Sequence, residues 1–240
     1  MLIQTIEENK QLRERVSQLE SKATCSNCDK SVDAAFDQID PDVPDETLIS
    51  DKQHVSVLIL SDSIFRHVGT SVPKTPGPQA PIYKQFDAGI DCMNVCIPGA
   101  QAPRLFSEAV LLRQKYTFDE IIVHCGANYV PNPRRHSRFD AAVPELTGLL
   151  SAIRQLFDAN ITYSATLPQR FAPPGCINFL NCQLDRFCAD NGFSWFYPTV
   201  FNHSADKLVA RDGIHLNFAG VDELTAALVT HVKFTFIYEY

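Results

Sequence analysis

From residue 54 onward the chain alternates between short apolar runs and longer stretches with apolar residues every three or four positions. The runs are Val55–Leu60 (VSVLIL), Cys92–Ile97 (CMNVCI), Glu120–Cys125 (EIIVHC), Ile161–Thr166 (ITYSAT) and Ser194–Val200 (SWFYPTV). Each has strand length, and several are apolar on successive residues rather than every second one. That is the pattern of strands buried on both faces. Residues 102–115, 140–158, 176–190 and 219–231 read as the helices between and after them. In the longest, Val143, Leu146, Leu149, Leu150, Ile153, Leu156 and Phe157 keep to one face at helical spacing. Regular strand–helix alternation predicts a parallel sheet of about five strands covered on both sides. In such sheets, sites form at the carboxyl ends of the strands.

The first 53 residues follow other rules. Leu2, Asn9 and Val16 share one seven-residue spacing, and Thr5, Leu12 and Leu19 share the second. Residues 1–23 therefore predict a short coiled-coil helix, with Asn9 fixing register and the helix joining copies of the chain into a homo-oligomer. The same pattern also serves a single amphipathic helix docked on the domain. Cys25 and Cys28 have the spacing of half a zinc knuckle. Zinc takes four ligands, and no second Cys or His pair lies near in sequence, so they read as free thiols in a linker. Residues 24–53 form that linker, expected to be flexible because it is acidic and carries two prolines.

Charge sharpens the division. The chain carries −7, and residues 29–51 alone hold eight acids against one lysine, also −7. The remainder is near neutral, so a broad basic face for nucleic acid is not evident. The one basic cluster, Pro133–Arg138 (PRRHSR), reads as a solvated loop. The amino-terminal residues lack the basic and apolar segments of a secretory signal, and no apolar run approaches 18 residues. A cytoplasmic location is expected. Five of the cysteines, Cys92, Cys96, Cys125, Cys182 and Cys188, lie in apolar stretches and are expected to be reduced and buried.

The strand-end rule then selects residues. The first run stops at Ser61-Asp62-Ser63, which places the Ser63 hydroxyl and N–H at the crevice. The second ends in Ile97-Pro98-Gly99-Ala100, where Gly99 can bring its N–H close to a ligand. The third ends in Gly126-Ala127-Asn128-Tyr129, offering a side-chain amide. Near the end of the chain stands Arg211-Asp212-Gly213-Ile214-His215. Each has a plain structural use: Asp62 or Ser63 as an N-cap, Gly99 as a turn residue, Asn128 and Asp212 as caps. Together, in order, they make an acyl-transfer site. Ser63 is the nucleophile, His215 its base and Asp212 the group that orients the imidazole. Ser63, Gly99 and Asn128 form the oxyanion hole.

These blocks resemble the SGNH (GDSL-type) hydrolases. A Ser in G-D-S matches Ser63, a block Gly matches Gly99, an Asn in G-x-N-D matches Asn128, and a final D-x-x-H matches Asp212 and His215. The resemblance spans residues 54–233 and leaves 234–240 as a tail that fits no family block and is expected to form an edge strand or an exposed end. It implies a flavodoxin-like three-layer α/β/α sandwich. It also implies hydrolysis of a small ester, such as an acetyl, lipid or carbohydrate ester, with neither metal nor organic cofactor. Two positions depart from the pattern: Ser61 replaces Gly, and Tyr129 replaces Asp as a possible pocket wall. The order coiled coil, linker, esterase is similar to first-open-reading-frame proteins of LINE-type retrotransposons. By that resemblance alone, a nucleic-acid or membrane partner is implied.

Overall fold

A computed structural model of the chain describes residues 54–68, 82–87, 89–133, 137–199, 201 and 207–237. All belong to the unit Asp51–Tyr240. The heptads of residues 1–23, the Cys25–Cys28 pair and the acidic linker lie outside the described residues, as do Arg134, Arg135 and His136 of the basic cluster.

The elements in chain order are β1 (Val55–Ser61), β2 (Ile82–Asp87), β3 (Ile90–Cys96), α1 (Ala102–Arg113), β4 (Glu120–His124), α2 (Phe139–Leu156), β5 (Asn160–Ser164), α3 (Cys176–Asn191), β6 (Ser194–Phe196) and α4 (Phe218–Ile237). They form one sheet in the order β2-β3-β1-β4-β5-β6. Five strands are parallel, as the apolar runs predict. β2 is an added antiparallel edge beside β3. No apolar run announces it, because an edge strand needs one partner and no deep burial. Its place comes from the backbone groups that β3 leaves open on that side.

Strand alternation splits the core into two sets. Leu58, Leu60, Met93, Ile121, Val123, Ile161 and Tyr163 face one way, against α1, α2 and α3. Val57, Ile59, Cys92 and Ile122 face the other way, against Leu224, Leu228 and Val232 of α4. The result is the expected three-layer α/β/α sandwich. On α2 the predicted face is buried at Leu146, Leu149, Leu150 and Ile153, while Val143 and Leu156 pack at its rim. Each fully buried side chain of this size contributes about 1.5–3 kcal/mol of transfer free energy. This packing makes β1, β3 and β4 a rigid platform whose carboxyl ends carry the site.

Two expectations are revised. The last helix does not stop near His231 but continues through Ile237, so the start of the expected tail is helical rather than an edge strand. Val229, Val232 and Phe236 continue the helical spacing onto the α4 side of the core, and the Thr235 hydroxyl donates to His231 O at 3.1 Å. Among the cysteines expected to be buried, Cys182 is exposed and Cys96 only partly covered. Cys92, Cys125 and Cys188 are buried free thiols.

Candidate active site

The turn that carries Ser63 is set by three adjacent strands. Ser61, the last residue of β1, accepts a hydrogen bond from Ile97 N at 2.8 Å, and Asp62 N donates to His124 O at 3.1 Å. β1 is thus gripped from both sides up to the residue before Ser63. Asp62 then caps a single 3-10 turn, Ser63–Phe65, its Oδ1 accepting from Ile64 N at 3.1 Å. Ile64 and Phe65 are buried, and the Phe65 ring lies 4.3 Å from the His124 ring. Ser63 alone of this turn stays partly exposed. The cap and the placement of Ser63 are therefore one device: the cap turns the chain, and the turn presents the hydroxyl. Ser61 is fully buried in register with His124, on the sheet face that carries Ile59 and Ile122.

Asp62 is a completely buried carboxylate. Burial pushes its pKa up to about 6, against the pull of N–H donors from Ile64, Gly126 and Ala127 and of the nearby His215. Those donors tie the turn after β1 to the turn after β4. His124 beneath them is held neutral by burial, its pKa pushed down to about 3. Its Nδ1 meets Ser164 Oγ at 3.3 Å on β5.

The loop that carries His215 is built differently. Residues 209–217 form a small loop closed by a bridge between Val209 and Leu216. Ala210 N donates to His215 O at 2.7 Å, and Asn217 N donates to Leu208 O at 2.9 Å. Inside it Asp212 Oδ1 accepts from Ile214 N at 2.9 Å and His215 N at 3.0 Å. Its Oδ2 meets His215 Nδ1 at 2.6 Å, and His215 Nε2 meets Ser63 Oγ at 2.9 Å. Partial burial works against the Asp212 carboxylate, but bonds from the His215 ring and the two backbone N–H groups outweigh it and hold the pKa below the usual range. Gly213 adopts φ +75°, and a Cβ there would sit 2.8 Å from Arg170 Cβ and 2.9 Å from the Phe171 ring. Glycine is required on both counts. Asn217 caps α4, its Oδ1 accepting from Gly220 N at 3.0 Å.

The oxyanion candidates divide. Ile97–Ala100 is a turn closed by Ala100 N donating to Ile97 O at 3.1 Å, with Gly99 at φ +73°. A Cβ at Gly99 would meet nothing within 4 Å, so the glycine serves the turn conformation. Among the described residues, the N–H groups of Ser63 and Gly99 have no acceptor, which leaves two donors for a ligand oxygen. Asn128 is placed beside them, but its Nδ2 donates to Ala100 O at 3.0 Å and, at 3.4 Å, to Asp62 Oδ2. Its amide ties the three strand-end turns together.

Tyr129 is not a pocket wall. It is fully buried. Its hydroxyl accepts from Ala102 N at 2.9 Å and donates to Glu145 Oε2 at 2.6 Å. The N-cap of α1, Gln101, supplies no side-chain bond, so Tyr129 satisfies an amide that the helix start leaves open. A tyrosine does what a short Asp could not, since the hydroxyl must span from the β4 turn to two helices.

Sequence reasoning missed the loop after β5. Arg170 N donates to Gly213 O at 2.8 Å, and Gln169 Nε2 donates to Ala127 O at 3.2 Å. This loop braces both halves of the site. The only signal for it was its position at the carboxyl end of a parallel strand. Among the described residues, no group of three or more His, Cys, Asp or Glu side chains is placed to hold a metal ion.

No protein-family model matches the sequence, and no curated protein matches it. Solved structures do. A lipase/acylhydrolase from Enterococcus faecalis superposes with a TM-score of 0.55 at 15% identity, covering 75% of this chain and 95% of the other. A lipolytic G-D-S-L family member from Veillonella parvula gives 0.57 at 14%, over 73% and 96%. An acetylxylan esterase from Geobacillus stearothermophilus gives 0.56 at 18%, over 75% and 95%. The part of the chain that holds Ser63, Asp212 and His215 thus shares the three-layer fold of GDSL-type lipolytic enzymes.

Proposed function

We propose that this protein is a serine hydrolase of small esters. The observation that carries this reading is the unbroken chain from Ser63 Oγ to His215 Nε2 at 2.9 Å and from His215 Nδ1 to Asp212 Oδ2 at 2.6 Å. Ser63 Oγ attacks the ester carbonyl carbon while its proton passes to His215 Nε2. Asp212 holds the Nδ1–H tautomer and stabilises the imidazolium. The oxyanion takes hydrogen bonds from the N–H groups of Ser63 and Gly99. Asn128 adds a third donor once its longer bond to Asp62 is released. Each such donor is worth about 2.7–4 kcal/mol in the transition state. Imidazolium protonates the departing alcohol. Water, deprotonated by the same ring, then attacks the acyl group on Ser63, and the carboxylic acid leaves. No step requires a cofactor.

Short acyl groups suit the reading, since acetylxylan esterases stand among the structures of like fold. The domain order still favours a LINE-type first-open-reading-frame protein, self-associating through residues 1–23. One observation favours a second reading, a catalytically weak binding module on the same scaffold: the Asn128 amide is engaged by Ala100 and Asp62. Hydrolysis of p-nitrophenyl acetate decides between them. Turnover that Ser63→Ala abolishes supports the esterase; equal rates for the two proteins overturn it.

A further inference from the structure

An open cleft of about 590 Å³ lies beside the site. Gly99 lines it directly, together with Ile97, Pro98, Pro103 and two cations, Arg104 and Arg138. An ester carbonyl resting on the Gly99 N–H therefore has this cleft at its side, and some other part of the same molecule must fill it. That volume suits a small organic group.

The two arginines are not equivalent. Arg138 is paired with Glu145, whose other oxygen takes the Tyr129 hydroxyl, so its charge is largely answered. Arg104 has neither an ion pair nor a hydrogen-bonded side-chain partner among the described residues. It stands in the first turn of α1, which carries no acid. A cation there opposes the helix dipole, and no acid in the first turn answers it. An anion in the cleft would answer it, and the Arg138 guanidinium would give a second, weaker contact.

Resting on the esterase reading above, we propose that this cleft selects esters bearing an anionic group, a carboxylate or phosphate, with Arg104 as the counter-charge. Arg104 is a specificity residue and moves no proton. The apolar Ile97, Pro98 and Pro103 contact the carbon skeleton that joins the anion to the ester. The anion can belong to the acyl part or to the alcohol, since either can lie past the carbonyl.

Two pairs of esters separate those sources. Acetoxybenzoate and its methyl ester differ by a charge on the alcohol side. Phenyl hydrogen succinate and methyl phenyl succinate differ by a charge on the acyl side. The readout is the ratio of kcat/KM for the charged and neutral members of each pair. The wild-type protein favours the charged member of at least one pair. Arg104→Gln, an exposed substitution, lowers that ratio about fivefold, and Arg104→Glu turns it below one. Raising salt from about 0.05 to about 0.5 M erodes the preference. Ratios that Arg104→Gln leaves unchanged in both pairs overturn the proposal. So does an equal loss for charged and neutral members. Binding of acetoxybenzoate to the Ser63→Ala protein, followed by calorimetry, keeps the two readings apart. Arg104-dependent binding without wild-type turnover of any ester sinks the esterase reading alone. Turnover without charge preference sinks this inference alone.

Discussion

The two halves of the site are held by different physics. On the nucleophile side, Asp62 and His124 have no exposed surface, and the turn rests on three strands and the Phe65 ring. On the base side, the Asp212 and His215 side chains are 46% and 45% exposed, and a loop of local hydrogen bonds holds them. Core packing fixes the first half; backbone N–H groups and a tight turn fix the second. Substitutions on the Ser63 side should therefore move stability and activity together, whereas those at Asp212 and His215 should move activity alone.

The largest effect tests the base side. His215→Ala should lower kcat/KM for a neutral ester at least about a thousandfold. Its melting temperature should stay within about 2 °C of wild type, because the ring makes no buried contact that folding depends on. A drop of many degrees by calorimetry would erase the distinction between the halves.

Next comes Gly126→Ala on the nucleophile side. Its Cβ would lie 1.9 Å from Thr166 Oγ1 and 3.1 Å from Thr166 Cβ, so the turn carrying Asn128 and the donors to Asp62 must shift. Overpacking of this kind costs about 1–3 kcal/mol. Urea unfolding should report that loss, and activity should fall with it. Thr166→Ala on the same background should return part of both. Lost stability with unchanged activity would show that the platform does not set the nucleophile.

pH separates the groups more finely. His124, depressed to about 3, contributes stability that is complete above its unfolded pKa and is lost as pH falls. Asp62, raised to about 6, works in the opposite direction, stabilising the fold as pH falls from about 6 toward 4. Between about pH 7 and 5, linkage gives a loss of about 2 kcal/mol from His124 and a gain of about 1 kcal/mol from Asp62. His231, also depressed by burial, shifts in the same direction as His124. His124→Phe keeps a ring against Phe65 and should flatten or reverse the acid loss. Asp62→Asn should steepen it. Parallel stability curves for the two variants would refute opposed titrations.

The smallest effect is at Tyr129. Tyr129→Phe removes an acceptor for Ala102 N and a donor to Glu145. A loss of about 1–2 kcal/mol is expected in thermal unfolding, with kcat/KM for neutral esters changed less than threefold. A tenfold fall in activity would show that the Tyr129 hydroxyl also sets the geometry around Ser63 and Gly99.

The chemistry was more legible than the supports around it. Ser63, Gly99 and Asn128 each follow, and the Asp212–His215 pair precedes, an element that hydrophobic pattern alone can place, so their order could be read directly. Asp62 was legible as a cap, yet nothing local says that its carboxylate is sealed from water by the β4 turn. Tyr129 looked like a wall because the sequence shows an aromatic at a crevice and not the amide of Ala102 waiting for an acceptor. β2 stayed hidden for a related reason: an edge strand is chosen by the free side of its neighbour.

What the sequence determined by itself is the periodic part. Runs of successive apolar residues make five parallel strands, apolar residues at helical spacing make the covering layers, and strand ends carry Ser63, Gly99 and Asn128. These follow from local geometry, because burial depends on which face a residue occupies. What only the tertiary structure decided is the meeting of distant groups: Ser63 with His215 across 152 positions, and Arg138 with Gly99 on one cleft wall. Such contacts depend on how the layers pack, and no spacing along the chain encodes the distance between two loops.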